Sequence, residues 1–248
     1  MNKNRVINIV ISLIGVLLLS ACSVTGLNVT RGSGVITTKS RSVSGFDAVQ
    51  IDGAGDLIIT QGESESLEIQ AEDNIIDELT SEVQDSRLVL GYRDNFLRHQ
   101  IIPTERITYT LTVVDLSEVT INGAADMDIK AIETESLSLI INGAGNITVD
   151  QITADRLNVE ISGTATIEVE GQVSQQFVSI EGAGNFKAGD LQTSESSIEI
   201  AGLGNATVWA TETLDISIDG GGNVRYYGSP DVTQDISGLG DIDNLGEK

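Results

Sequence analysis

Apolar and polar residues alternate along most of the chain, and glycine-rich turns interrupt the alternation at nearly constant intervals. Leu137, Leu139 and Ile141 precede one such turn, and Ile147 and Val149 follow it. A period of two, built from branched aliphatic residues, is typical of β-strands with one buried face. The inward positions that we expect to be buried are Leu139, Ile141, Val159, Ile161, Ile180, Ile200 and Ile218.

The turns share a Gly-x-Gly-Asn/Asp unit, which recurs every 18–20 residues from Gly123 onward. Such a period indicates a repeat architecture. One unit, Gly163–Thr166, lacks both the second glycine and the Asn or Asp. The glycines and amide or acid residues of this turn ladder are Gly53, Asp56, Gly123, Asp126, Gly143, Asn146, Gly182, Asn185, Gly202, Asn205, Gly220, Asn223, Gly238 and Asp241.

Two topologies fit this pattern. In a meander, each glycine turn closes a hairpin, and Asn142-Gly143 is a good hairpin signal. In a β-helix, each unit forms one coil, and equivalent residues stack at the interstrand spacing of about 4.8 Å. The β-helix is favoured, because stacking rewards identical residues at identical places. Glycine would then suit a corner with positive φ, and Asn or Asp would bond to nearby backbone.

Residues 44–118 repeat less cleanly, and we expect a β-rich N-terminal part ahead of a β-helix repeat region at 119–245. Residues Asp73–Val83 place Ile75, Ile76 and Leu79 on one helical face, with Asp73 at the start as a cap. This pattern predicts one short helix. Residues 92–104 are predicted to form a loop, and residues 22–43 a linker.

The first residues predict a secreted lipoprotein. Lys3 and Arg5 precede an apolar run, Val6–Leu19, that is shorter than the roughly 20 residues a membrane span needs. Small residues follow it, as at a cleavage site. Leu19–Cys22 resembles a bacterial lipobox, which implies a signal peptide at 1–21, cleavage before Cys22 and acylation of its sulfur. The neighbouring Ser23 implies, by the same resemblance, the outer membrane of a Gram-negative bacterium.

Composition removes several function classes. The formal net charge is −23, and removal of residues 1–21, with two basic and no acidic residues, leaves −25. Such a surface repels nucleic acid, so no nucleic-acid partner is expected. Cys22 and His99 are the only residues of their types, which excludes Cys-His pairs and multi-histidine zinc sites. We therefore predict no catalytic residue, metal or cofactor.

Three sets of residues have a possible functional interpretation: the Asn/Asp ladder, the basic residues and the aromatic residues near the C-terminus. The Asn/Asp ladder resembles a calcium site superficially, but most of its positions are neutral amides, and we expect it to be structural. The basic residues could bind an acidic glycan or phosphate, and the aromatic residues near the C-terminus could stack on a sugar or cover the end of the coil. The basic set is Arg87, Arg93, Arg98, His99 and Arg106; the aromatic set is Trp209, Tyr226 and Tyr227.

The sequence resembles the bacterial family called "putative auto-transporter adhesin, head GIN domain" over residues 44–228. The residues that carry the resemblance are Phe46–Asp56, Glu72–Leu79 and the turns at Asn122 and Asn142. The resemblance implies a right-handed parallel β-helix and an adhesive role, and it supplies no catalytic residues.

These observations together predict a non-catalytic cell-envelope protein, held in the membrane by its lipid anchor, that acts in adhesion or interaction. Its ligand would be an unidentified protein or glycan. Two alternatives stay open. One is a carbohydrate-active β-helix enzyme that uses a carboxylate pair, and the other is an envelope scaffold.

Overall fold

The alternating aliphatic residues close the chain into stacked coils. The computed structural model describes residues 28–93 and 99–248 and places only strands and turns there. The strands are β1 (Asn28–Arg31), β2 (Ile36–Arg41), β3 (Ala48–Ile51), β4 (Ala54–Gln61), β5 (Ser66–Glu72), β6 (Leu79–Gln84), β7 (Arg87–Tyr92), β8 (His99–Ile102), β9 (Thr108–Val113), β10 (Glu118–Ile121), β11 (Ala124–Glu133), β12 (Ser136–Ile141), β13 (Ala144–Ile161), β14 (Thr164–Ile180), β15 (Ala183–Ile200), β16 (Leu203–Ile218), β17 (Gly221–Tyr227), β18 (Asp231–Ile236) and β19 (Leu239–Asn244).

Successive coils pair in parallel, one repeat apart. Ile141 lies opposite Ile161, and Ile161 lies opposite Ile180. A meander would pair neighbouring strands antiparallel across each glycine turn, so that alternative is excluded and the parallel β-helix is confirmed. The long strands β13–β16 turn a corner and contribute to two faces. Face 1 has the order β6-β7-β3-β10-β12-β13-β14-β15-β16-β18, and face 2 has the order β2-β5-β9-β4-β11-β13-β14-β15-β16-β17-β19.

The interior consists of aliphatic columns that run along the helix axis. One column on face 1 contains Ile51, Ile121, Ile141, Ile161 and Ile180, each in register with the next, and each has no solvent exposure. All seven inward residues predicted from the alternation are buried, none more than 3% exposed. That prediction is confirmed.

The N-terminal part belongs to the same solenoid. β3 and β4 pair in parallel with β10 and β11, so Asp56 lies directly opposite Asp126 although 70 residues separate them in sequence. The intervening chain adds β7 and β9 as one further parallel layer. The antiparallel strands β6 and β5 of the same segment, together with β2 from before β3, then close the end. The long gap in the repeat is therefore a cap, which covers an edge that would otherwise invite association.

The prediction of a short helix at Asp73–Val83 is wrong. Residues 73–78 form turns, and Leu79 already begins β6, which pairs antiparallel with β7. The φ angles of Asp85 and Ser86 are 49° and 61°, as in a tight two-residue hairpin. A single helical turn fixes many dihedral angles for one hydrogen bond, whereas the hairpin supplies partners along the whole of β6.

Two segments that the sequence predicted to be irregular contain strands. β8 lies within the predicted loop at 92–104, and it pairs in parallel with β1. β1 and β2 lie within the predicted linker at 22–43, and β2 covers β5. Both were overlooked because these strands are short or only half-buried and therefore show weak alternation.

The predicted signal peptide and Cys22 lie outside the described residues, among which no helix could span a bilayer.

The side chain of Glu72 connects separate segments of the cap through hydrogen bonds. Its side chain is only 1% exposed. It accepts hydrogen bonds from the Gly34 N–H at 2.7 Å and from the Thr104 N–H and hydroxyl at 2.9 and 2.5 Å. Burial raises the pKa of this carboxyl, but the bonds from Thr104 and Gly34 outweigh it and hold the pKa at about 2, below the ordinary 4.5. One carboxylate thus fixes the β1–β2 connection and the segment after β8.

Truncating a column residue should destabilise the whole solenoid. We expect Ile180→Ala to lower the free energy of unfolding by about 2–5 kcal/mol, because it removes buried methyl groups and leaves a cavity. Chemical denaturation measures this change. Gln151→Ala, at an exposed strand position, is the control and should change stability by less than about 0.5 kcal/mol. Equal effects of both variants would contradict the buried column.

Replacing Glu72 with glutamine should destabilise the cap at neutral pH. An amide cannot accept on both sides, so one N–H loses its partner, at a cost of about 1–3 kcal/mol. The contribution of the carboxylate is complete above pH 4.5 and is lost as the pH falls through about 2. The difference between wild type and Glu72→Gln should therefore shrink over that window in pH-dependent denaturation. Glu68→Gln, exposed on the same strand, should show no such change.

Candidate functional site

From Gly123 onward, the first glycine of each turn lies directly against the turn of the coil before it. A Cβ atom on Gly123 would lie 1.8 Å from the carbonyl oxygen of Gly53, and one on Gly182 would lie 2.0 Å from that of Gly163. None of these first glycines has a positive φ. The first glycines are therefore required because stacked backbones leave no room for a side chain. The positive φ expected for turn glycines is found at two second glycines, Gly55 and Gly145, whose φ angles are 145° and 157°.

Backbone hydrogen bonds connect the turns at this close approach. The Ala144 N–H donates to the Gly123 carbonyl at 3.0 Å, and the Asn142 and Gly143 N–H groups both donate to the Ile121 carbonyl. The same pattern recurs in later coils, for example from Leu203 to Gly182 at 2.9 Å. Each turn is therefore bonded to its neighbour by main-chain groups, whichever side chains it presents outward.

The Asn and Asp residues of the ladder occupy one register column on face 2. The Asp126 carboxylate accepts from the side-chain amide and the backbone N–H of Asn146, at 2.8 and 3.0 Å. Asn223 likewise accepts the Asp241 N–H at 3.1 Å. Thr166 interrupts the column between Asn146 and Asn185. The contacts link one coil to the next, and the exclusion of calcium stays a prediction.

Adding a methyl group at a first glycine should separate two coils. We expect Gly182→Ala to destabilise the protein by about 1–3 kcal/mol, because the new Cβ overlaps the backbone of the preceding turn. Thermal unfolding measures the loss. The matched control is Gly221→Ala, since alanine already occupies the equivalent position in the turns at Ala124 and Ala144. A tolerated Gly182→Ala would show that the turns are not in backbone contact.

The basic residues considered from sequence do not form one site in the described part of the chain. Arg87 pairs with Glu118 on face 1, and Arg106 pairs with Asp56 at 2.7 Å beside the ladder. The Glu118 side chain holds the pKa of Arg87 above its ordinary value through a hydrogen bond and charge attraction. Arg98 lies outside the described residues. Intramolecular ion pairs thus account for Arg87 and Arg106.

The C-terminal aromatic residues contact the end of the chain. Trp209 lies in register with Tyr227, and the Lys248 ammonium lies 5.8 and 4.8 Å from the two ring centroids. Lys248 also pairs with Asp190. Tyr226 packs against the interior. Lys248 therefore lies against the rings of Trp209 and Tyr227, on which a sugar would have to stack.

The outer surface of face 1 carries a groove that sequence reasoning missed. Phe177 is 43% exposed and stands in a column whose other members include Ser138, Asn158 and Ser197. These shorter side chains leave space on both sides of its ring. The cavity measures about 420 Å³, within the range of roughly 300–1,000 Å³ found for small-molecule sites.

Three glutamates and one aromatic ring surround a serine in this groove. Ser179 pairs with Glu160 on one neighbouring strand and with Glu199 on the other. Phe177 and Glu181 flank it two positions away along its own chain segment. Side chains two residues apart share a face and lie about 6.6 Å apart, while neighbouring strands lie about 4.8 Å apart. The four side chains therefore form the walls of a cup with a hydroxyl at its floor.

The charges in this cup are uncompensated. Glu160, Glu181 and Glu199 are exposed, and none of them has an ion-pair partner within residues 28–93 and 99–248. The groove lining contains no Lys, Arg or His. The one signal in the sequence was an aromatic residue at an outward position, but only the register shows which residues surround it.

Several known proteins are similar to this chain. Residues 45–230 match the family model described as "Putative auto-transporter adhesin, head GIN domain". The crystal structure of a "putative adhesin" from Bacteroides fragilis is 26% identical with a TM-score of 0.82, and covers 87% of this chain and 100% of that one. A "putative lipid binding protein" from Parabacteroides distasonis is 23% identical with a TM-score of 0.69, and covers 88% and 100%. No curated protein matches the chain.

The family match covers most of the chain and agrees with residues 44–228, over which the sequence resembles this family. The Parabacteroides structure, at its low identity, supports the fold alone. The Bacteroides structure supports the same fold, in a protein described as a "putative adhesin". The chain therefore belongs to the family of auto-transporter adhesin head GIN domains.

Proposed function

We propose that this protein is a lipid-anchored, non-catalytic interaction module of the cell envelope that acts in adhesion. The observation that carries the proposal is the continuous solenoid of an adhesin-family chain, whose long outer faces present polar side chains to solvent. The turns that begin at Gly53 and Gly238 are seven rungs apart, which is about 34 Å at the interstrand spacing. A body of that height raises a binding face above a membrane surface.

The position of Cys22 gives this body an orientation. Cys22 precedes Asn28, the first residue of β1, by six residues, which reach at most about 22 Å when extended. A lipid on Cys22 would thus hold the capped end of the solenoid near the membrane. The opposite end, with β18 and β19, would point away, and the strongly acidic body would be repelled by anionic lipid.

An enzyme is the second candidate, because Glu160 and Glu199 flank one groove. Their strands are two rungs apart, about 9.6 Å, near the separation of carboxylates in inverting glycosidases. Both side chains are exposed, however, whereas a general acid needs an apolar surrounding to retain its proton at neutral pH. Release of new reducing ends from a panel of neutral polysaccharides, abolished by Glu160→Gln, would favour the enzyme.

The anchor is tested by removing its thiol. We expect Cys22→Ala to move the protein from the membrane fraction to the soluble fraction, or to leave a precursor of higher mass, because no acyl chain can be attached. Metabolic acyl labelling and fractionation measure both results. Ser23→Ala is the control and should stay labelled and bound to membrane. Unchanged labelling of Cys22→Ala would refute the lipid anchor.

Adhesion is tested on intact cells. Protease added outside should degrade the protein, and a deletion strain should attach less to surfaces or host material than its parent. Wild-type protein should restore attachment, whereas the Cys22→Ala variant should not. A protein protected from external protease, together with unchanged attachment of the deletion strain, would eliminate adhesion and leave the envelope-scaffold alternative.

A further inference from the structure

We propose that the Phe177 groove binds an uncharged pyranose of a glycan, with Phe177 stacked on the apolar face of the sugar ring. This inference rests on the proposed adhesive function and names the chemistry of its ligand. The groove lies on the outer surface of face 1 and is lined by residues of β12–β15 and by Glu181 in the turn after β14. It therefore faces solvent near the middle of the solenoid, where a partner molecule has access.

The aromatic ring supplies the apolar half of the recognition. Phe177 is 43% exposed, while the equivalent positions in neighbouring coils are Asn158 and Ser197. One large ring thus stands between two small polar side chains, and its face is open to a flat ligand. A pyranose has one face of C–H groups, which packs on an aromatic ring as apolar surface does.

The polar half matches the hydroxyl groups of a sugar. Glu160 and Glu199 lie on opposite sides of Ser179, and both are acceptors. Ser138, Ser179, Ser197 and Asn158 line the same groove and can both donate and accept. Sugar hydroxyls are likewise donors and acceptors. A cationic side chain donates only, so it would use the carboxylates but could accept nothing from the serine hydroxyls. The Asn158 side-chain amide already donates to the Ser138 hydroxyl at 3.4 Å.

Charge excludes the acidic glycans. The groove lining holds the carboxylates of Glu160, Glu181 and Glu199 and no basic side chain, within a chain of net charge −23. A sialic acid, uronic acid or sulfate placed there would meet like charge with no counter-ion. The ligand is therefore an uncharged glycan.

The test uses the full chain on a glycan array that carries uncharged, sialylated and sulfated glycans, with polylysine as a separate probe. The decisive variant is Phe177→Ser. Serine occupies the equivalent positions 138 and 197, so the fold accepts it, and unchanged thermal unfolding verifies this. Phe177→Tyr keeps the stacking ring. Glu212→Gln, exposed on a corner away from the groove, is the charge-matched control for Glu160→Gln.

Wild type, Phe177→Tyr and Glu212→Gln should bind the same uncharged glycans. Phe177→Ser and Glu160→Gln should each bind them about tenfold more weakly, the effect of losing one stacking or charged contact. Absence of glycan binding, binding only to acidic glycans, an unaffected Phe177→Ser variant, or Phe177-dependent binding of polylysine without glycan would each overturn the proposal. If glycan binding depends on Phe177 but the deletion strain attaches as well as its parent, the adhesive function would be refuted. The glycan site would still stand.

Discussion

Contact between the backbones of stacked turns is the constraint on which the rest of the structure depends. The carbonyl oxygen of one turn glycine occupies the space that a Cβ of the next would need, as between Gly163 and Gly182. Because this contact fixes the spacing of the coils, every following residue repeats at the same height. The aliphatic columns inside and the Asn/Asp column on face 2 then follow from register alone. Outward positions apart from the Asn/Asp column and the ion pairs are less constrained by stacking, and the large residue at one of them, Phe177, forms a groove beside the smaller Asn158 and Ser197.

The two ends of the solenoid differ in structure, and this difference supports the proposed orientation. The N-terminal end is closed by antiparallel strands and secured by the buried carboxylate of Glu72. At the other end, β18 is exposed along its length, and Leu239 is 84% exposed. The last two strands carry several aspartates, and charged edges discourage strand pairing. With the proposed anchor at Cys22, the closed end would lie near the lipid and the open end would point away from the membrane.

The sequence predicts the coils well because they repeat locally. The period of the turns and the alternation of residues such as Ile141 and Ile161 were sufficient for the β-helix and its core. The cap was missed because its pairings do not follow the repeat: the spacing of the turns does not indicate that β5 pairs with both β2 and β9. The helix prediction failed because Ile75 and Ile76 in the turns at 73–78, and Leu79 at the start of β6, are buried as well as they would be in a helix. The cup around Ser179 combines residues 19 or 20 positions apart, so its composition appears only when the register is known.

A distance across the whole stack tests this architecture most directly. Spin labels can replace Asp52 and Asp219, which begin turns six rungs apart on the same corner, in a Cys22→Ser background. Stacked coils that include the N-terminal part predict a narrow distance distribution centred near 29 Å, six times the interstrand spacing of about 4.8 Å. A distance near twice that value, or a broad distribution, would contradict the continuous solenoid.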